Sequence, residues 1–394
     1  MKPLFTPTKL FLLASTALIF TAPSQVNAQE TETIIDAISN GTAYLDERFR
    51  VEHVTDDSKA FNGTAATLRS KLGYKTAAYK GFSGTLEIEH SAEIFGGDYN
   101  NGINGKTSYP AIIDANHTEV NQAFLAYTGI EKTTIVAGRQ ALNLGNQRFV
   151  GTVGWRQNDQ TFDAAAIINN SIADLTVVYS YVWNVNRIFG NDHPAGDLKT
   201  KTNIINASYK GINGVTLEAY VLLIDLDAIG VKALNSKTFG ARISGGQNIA
   251  EGIKVLYSAE YANQTDYKAN PFSYSADYFN IEAGVAAKGF MIKAGIETLG
   301  SDKSAASFTT PLATLHKFNG WADKFLNTPV NGLRDFYGHA SYAIADTGTE
   351  LDGTNITVVY HKFKSDFGDI DYGSETDVSV SKKGFKQFAV LLKY

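Results

Sequence analysis

The amino-acid sequence predicts an all-β fold, an antiparallel up-and-down transmembrane β-barrel of roughly 16–18 strands. Three observations predict it: an export signal at the N-terminus, segments of about 8–11 residues in which apolar and polar residues alternate, and connections that are alternately short and long. In such a barrel only one face of each strand contacts lipid, so the mean hydropathy of −0.15 does not argue against a membrane protein.

The N-terminus has the layout of a secretory signal peptide. Lys2 and Lys9 provide a basic start, and the apolar run 10–22 follows. A run of about 13 residues is too short to cross a bilayer core, which requires about 20. Small residues at the end of segment 1–28 then predict a cleavage site, which leaves residues 29–394 as the transmembrane barrel.

The predicted strands have one charged face and one apolar face. In 44–54, Arg48 and Arg50 alternate with Leu45 and Phe49, and the segment 82–90 repeats the pattern with glutamates. A basic residue on the lipid face near the bilayer midplane costs roughly 2–4 kcal/mol. The charged face is therefore predicted to point into the lumen.

The pore-lining candidates are the charged residues that this rule places on or beside predicted strands. They are Arg48, Arg50, Arg69, Lys71, Glu87, Glu89, Arg139, Arg148, Arg156, Glu260, Glu282 and Glu297. Rows of arginines attract carboxylate or phosphate groups, and acidic residues across the lumen would add a transverse field. The alternative is that these charges pair across neighbouring strands and only brace a wide lumen.

The connections predict the orientation of the barrel, because periplasmic turns are short and outer loops are long. The short connections are 75–81, 129–132, 210–214, 286–289 and 382–384, and the longer ones include 91–118, 184–201 and 300–334. This division gives about 17 strands, the last of them at 385–394, whereas a bacterial single-chain barrel needs an even number.

The connector 139–163 is predicted to fold into the lumen as a constriction. Asn143, Gly145 and Asn146 interrupt the strand pattern there, and Trp155 and Arg156 would supply an apolar plate and a charge. Such a pair suits sugars or carboxylates. The alternative is a surface loop that is held in place by the packing of Trp155.

Several stretches resemble the alginate-export family of outer-membrane channels. The strongest is Gly138-Arg139-Gln140 with 146–151 and 155–163; the second is 310–325, and 118–123 is weaker. The resemblance implies an 18-stranded barrel that passes anionic saccharides or other small solutes through a lumen narrowed by loops. It also implies one further strand beyond Tyr394, without which 44–54 would be an unpaired edge.

The sequence therefore predicts a passive channel for small polar or anionic solutes in the bacterial outer membrane. Its expected partners are outer-membrane lipid and lipopolysaccharide, and it needs no cofactor or metal. The net charge of −5 gives no support to nucleic-acid binding. The alternatives are a barrel plugged by 91–118 and 300–334 that binds a surface partner, an acidic loop at 366–375 that binds Ca²⁺, and a hydrolase at the rim. The seven histidines are scattered singly and predict no catalytic residue.

Overall fold

The computed structural model describes residues 10–13, 30–384 and 388–394, so the predicted cleavage site and the first residues of the predicted last strand lie outside it. The described residues form one α-helix, α1 (Ile34–Ser39), two 3₁₀ helices (Ile229–Leu234 and Leu315–Lys317) and twenty strands. None of these helices is long and apolar enough to cross a membrane.

The strands are β1 (Leu10–Leu13), β2 (Glu30–Thr31), β3 (Thr42–Val54), β4 (Gly63–Lys75), β5 (Ala78–Tyr79), β6 (Phe82–Asp98), β7 (His117–Ile130), β8 (Thr133–Gln140), β9 (Thr161–Asn169), β10 (Leu175–Asn186), β11 (Asp197–Ile212), β12 (Val215–Ile224), β13 (Ser236–Ala250), β14 (Ile253–Asp266), β15 (Ser275–Ala287), β16 (Phe290–Leu299), β17 (Leu333–Ala343), β18 (Thr354–Lys364), β19 (Asp371–Gly384) and β20 (Phe388–Lys393).

The sheet is an up-and-down meander, which confirms the predicted fold class. β3 pairs with β4, β4 with β6, and from β6 to β20 every strand pairs antiparallel with the next. β1 lies between the two ends of this series, because Leu12 is opposite Lys393 on one side and Glu52 on the other. The pairings therefore return to β3 and complete a ring.

Among the described residues the ring contains seventeen strands of six or more residues, and β1 takes an eighteenth position. The strand division read from the sequence gives the same number of long strands. The four residues of β1 belong to the segment that the sequence predicts to be a signal peptide. The position between β3 and β20 is thus filled by a part of the chain that is predicted to be removed.

The two faces of the strands differ as the alternation predicts. Leu45, Leu86 and Ile292 are between 49% and 64% exposed on the outside of the barrel, while Arg48 and Glu89 on the inside are at most 3% exposed. The turns at one end are short. In the turn between β15 and β16, Lys288 and Gly289 both have positive φ, at 50° and 83°, which matches the two-residue hairpin turn that the twist of the strands favours.

The long loops at the other end are shorter than the sequence predicts. β6 continues to Asp98, and β11 begins at Asp197. In β11 the exposed Lys199 alternates with the buried Leu198 and Thr200. Strand pairing therefore extends into polar segments that the sequence predicts to be loops, because one face of each segment is buried in the barrel.

The lumen contains an apolar core, which the sequence does not predict. Phe149, Phe308 and Leu312, from two connections that turn inward, pack against inward-facing residues of the wall such as Phe162 and Leu222. The inward face is therefore not charged all round. On the side of β9–β16, the inward connections cover an apolar wall and keep it from water.

Candidate functional site

Two inward segments, 141–160 and 308–325, join to form a crossbar in the lumen. The amide of Gly151 donates to the carbonyl of Leu312 at 2.9 Å, and the side chain of Gln160 donates to the same carbonyl at 3.1 Å. The amide of Thr314 donates to the carbonyl of Gln147 at 3.1 Å. The two segments thus bind each other through their backbones as well as through the apolar core.

Arginines of β3 attach the crossbar to the wall. Arg48 donates through Nε to Gln157 at 2.8 Å, through one terminal nitrogen to the carbonyl of Gly154 at 2.7 Å, and through the other to the carbonyl of Arg156. Arg50 donates to the carbonyl of Trp155. Both side chains face the lumen. All three guanidinium nitrogens of Arg48 bind the crossbar, whereas the terminal nitrogens of Arg50 bind Trp155 of the crossbar and Glu52 of β3.

Arg156 is the centre of an ion-pair network inside the crossbar. It lies 3.1 Å from Glu52 of β3, 3.4 Å from Asp323 of the second inward segment and 3.8 Å from Asp114 of the loop 99–116. Burial lowers the pKa of Arg156, but these three carboxylates raise it above its ordinary value. The side chain is therefore a permanent cation that joins three parts of the chain.

Arg148 attaches the other side of the crossbar to the wall. Its Nε donates to Glu297 of β16 at 2.8 Å, and its terminal nitrogens donate to Asn319 at 3.1 Å and to Thr310 at 3.3 Å. The guanidinium also lies 4.8 Å from the ring centroid of Phe318. Because Arg148 is 2% exposed, its carboxylate partner is the main compensation for its desolvation.

The remaining inward candidates are paired with neighbours of opposite charge or with hydrogen-bond donors. Lys71 contacts Asp159 of the crossbar and lies 3.1 Å from Glu89, and Arg69 contacts Asp46. Glu87, Glu260 and Glu282 accept from Asn121 at 2.6 Å, Tyr220 at 2.8 Å and Lys293 at 3.2 Å, respectively. The lumen therefore carries mixed, largely paired charge.

Arg139 is an exception, since the structure places it on the outside of the barrel rather than lining the pore. Val136 and Gln140 are the buried, inward residues of β8, so Arg139 has the opposite parity. Its Nε donates to Asp163 of β9 at 2.8 Å on the same outward face. Sequence position beside a constriction suggested the lumen, but strand parity decides the face.

A cavity of about 1010 Å³ lies beside the crossbar and is lined by residues of both inward segments and of the wall. Arg242, Lys293 and Lys317 form a basic cluster in this lining. Burial and the two neighbouring cations lower the pKa of Lys317, whose amine donates to the carbonyl of Asn146 at 2.9 Å. This cluster is not among the sequence-based candidates.

The same cavity contains an aromatic group that sequence reasoning only half identified. Trp155 stacks on His316 with ring centroids 4.0 Å apart and an interplanar angle of 5°, and Trp321 lines the cavity with them. Burial lowers the pKa of His316 to about 3, so the ring is neutral at pH 7. Burial raises the pKa of Asp323, but His316, which donates to it at 2.7 Å, and Arg156 hold it at about 2.

The acidic residues near the last outer loop are dispersed. Asp366 pairs with Arg334 at 2.8 Å, Asp371 with Lys362 at 2.7 Å, and Glu375 accepts from the backbone of Ala322 at 2.7 Å. The described part of the chain holds no group of three or more histidine, cysteine or acidic residues that could bind a metal ion. The alternative of a calcium-binding loop thus gains no support from these positions.

A single up-and-down sheet with an apolar outside and a charged, constricted lumen defines an outer-membrane β-barrel of the porin type, located in the bacterial outer membrane. The family model for alginate export matches residues 44–266, more than half of the chain, and the chain belongs to that family. The match includes the first inward segment but ends before the second.

Solved porin structures share the fold. OccK9 (OpdG) of Pseudomonas aeruginosa aligns with a TM-score of 0.69 and 13% identity over 91% of this chain and 98% of that one. OccAB2 of Acinetobacter baumannii aligns with a TM-score of 0.68 and 12% identity over the same shares. OpdL of Pseudomonas aeruginosa gives 0.62 and 14% over 90% and 98%. No curated protein matches the chain.

Proposed function

We propose that the protein is a passive channel that admits or releases small polar solutes, including anionic ones, across the outer membrane. The observation that carries the proposal is the cavity of about 1010 Å³ beside the crossbar, which is lined by charged and aromatic side chains. Fixed charges in a narrow aqueous passage attract and sort solutes without any energy source or cofactor. The crossbar limits passage to small molecules.

The basic cluster of Arg242, Lys293 and Lys317 supports the inclusion of anions. Lys317 is exposed to the cavity, and the other two side chains line it. Arg242 and Lys293 also lie 3.1 Å from Glu218 and 3.2 Å from Glu282, so the local charge is moderated rather than strongly positive. A moderate field suits a channel, because a solute must leave the site as readily as it enters.

A plugged barrel that binds a surface partner is the second candidate, and the apolar core inside the lumen favours it. Phe308 and Leu312 are fully buried there, as they would be in a permanent plug. We propose no catalytic role for the histidine in this region, because both nitrogens of His316 are engaged, one with Asp323 and the other with Lys393.

Removal of residues 310–323 distinguishes the two functions. In planar bilayers we expect the intact protein to give stepwise conductance, and the variant, with a short Gly-Ser linker in place of the segment, to give larger steps. Shortening the exposed connection 345–351 between β17 and β18 is the matched control and should leave the step size unchanged. Steps that appear only after the deletion would establish a plugged barrel and contradict the channel.

Cleavage after residue 28 is a separate expected outcome. The intact mass of protein purified from outer membranes should correspond to a chain that starts at Gln29. In that mature chain Leu10–Leu13 are gone, and the edges of β3 and β20 that they pair with must be covered in another way. A purified barrel that retains residues 10–13 would contradict the predicted cleavage.

A further inference from the structure

The amine of Lys393 is enclosed by aromatic rings in the lumen. Its Nζ lies 3.8 Å from the ring centroid of Trp321 and 4.2 Å from that of Trp155. It also donates to Nε2 of His316 at 2.7 Å. Lys393 is the inward residue at the end of β20, while Leu392 beside it points outward with 40% exposure. We call Trp155, Trp321 and His316 the aromatic cage.

The composition of the cage favours a cation. Indole faces attract an ammonium group through the ring quadrupole, and the attraction grows when water is excluded. Trp155 is also 4.1 Å from the guanidinium of Arg50, so it carries a second cation. His316 offers a neutral nitrogen as acceptor.

The cage opens on the cavity, and the chain itself provides its occupant. Trp155, Trp321, His316 and Lys393 all line the cavity of about 1010 Å³. A lysine side chain is long and flexible, and its amine can leave the rings while the strand stays in place. An ammonium group arriving through the cavity would meet the same two indole faces and the same acceptor.

We propose that the aromatic cage is a binding site for the ammonium group of small organic cations or zwitterions, and that Lys393 occupies it when no solute is bound. The proposal rests on the proposed function only for the route by which the solute arrives. The cage would recognise positive charge, whereas the basic cluster of Arg242, Lys293 and Lys317 in the same cavity would attract negative charge. A solute with both an ammonium group and an anionic group would satisfy both parts of the cavity.

Tryptophan fluorescence tests the proposal without any current. The chain has three tryptophans, and the third, Trp183, lies on the outside of the barrel with 41% exposure. In a Trp183→Phe background the remaining tryptophans, Trp155 and Trp321, both belong to the cage, so tryptophan fluorescence reports on the cage. The purified protein in detergent is titrated with choline and with 3,3-dimethylbutan-1-ol, a neutral molecule of the same shape. Lys393→Ala empties the cage, and Leu391→Ala, from the same inward face of β20, is the matched control.

We expect Lys393→Ala to bind choline about tenfold more tightly than the parent, because choline no longer displaces the lysine. Leu391→Ala should bind choline as the parent does, and the neutral analogue should give no saturable change in any variant. An equal response to choline and its neutral analogue, or no saturable response in Lys393→Ala, would overturn the proposal. If Lys393→Ala does not fold, Lys393→Gln, which keeps most of the stem and loses the charge, carries the same test. Absence of conductance would instead count against the channel.

Discussion

Replacement of Arg148 by Met will weaken the attachment of the crossbar to β16, with a local cost of about 3–5 kcal/mol. Arg148 donates to Glu297, Asn319 and Thr310, and its side chain is almost completely buried. Methionine fills a similar volume but leaves the carboxylate of Glu297 without its cation. A buried charge without a partner is far more costly than the pair itself is stabilising.

Limited proteolysis and single-channel recording measure this effect together. The Arg148→Met protein should remain a barrel by its heat-modifiable migration, while the segment 308–325 becomes open to proteases. Its conductance should rise and become noisier, because on this side the crossbar is then attached mainly through the hydrogen bonds of Asn319 to Glu297 and Asp335. Proteolytic resistance equal to that of the parent would show that the apolar core around Phe308 and the remaining hydrogen bonds hold the crossbar in place without Arg148.

Arg334→Met is the matched control for this prediction. Arg334 pairs with Asp366 at 2.8 Å, but its side chain is 38% exposed at the rim. Exposed ion pairs contribute about 0–1 kcal/mol, so this variant should behave like the parent. A large effect of both substitutions would point to a general loss of barrel stability rather than to the crossbar.

The barrel itself could be predicted from sequence because its rules are local. A period of two residues assigns every strand position to one of two faces, and lipid outside forbids charge there. The rule places Arg48, Arg50 and Glu89 on the inside. The same rule, applied to β8, would have placed Arg139 outside, since Gln140 and Val136 are the buried residues of that strand. The error came from judging Arg139 by its neighbours in sequence.

The crossbar could be predicted only in part because its contacts are distant in sequence. The partners of Arg48 are carbonyl groups and a glutamine more than 100 residues away, and no residue pattern encodes a backbone acceptor. Composition predicted a connector at 139–163, which the structure confines to 141–160, and it singled out Trp155 and Arg156 there. It gave no such signal for Trp321 and Lys393, whose role depends on where two separate segments meet.

The charge selectivity of the channel will depend on Lys293 and Lys317 and not on Arg48. Every nitrogen of the Arg48 guanidinium is bound to the crossbar, and the residue is 3% exposed. All three side chains line the cavity, but Lys317 is exposed to it and the side chain of Lys293 is 25% exposed, whereas Arg48 is almost completely covered. A permeating ion therefore approaches the two lysines directly, whereas the crossbar groups that bind Arg48 keep the ion away from its guanidinium.

The double variant Lys293→Gln, Lys317→Gln should lower the permeability ratio of anions to cations by about fivefold. Each charge about 7 Å from the ion contributes about 0.6 kcal/mol in water, with opposite sign for an anion and a cation, and salt reduces each contribution to roughly 0.25 kcal/mol. Reversal potentials in a salt gradient measure the ratio, and the shift should shrink at high salt because of screening. Lys288→Gln, in the exposed turn between β15 and β16, removes the same kind of charge away from the cavity and should have no effect.

Arg48→Gln should change conductance and noise by loosening the crossbar, while the permeability ratio of anions to cations stays nearly constant. A shift with Arg48→Gln that exceeds the shift with the two lysine substitutions would mean that Arg48, and not the lysines, sets the charge selectivity of the cavity.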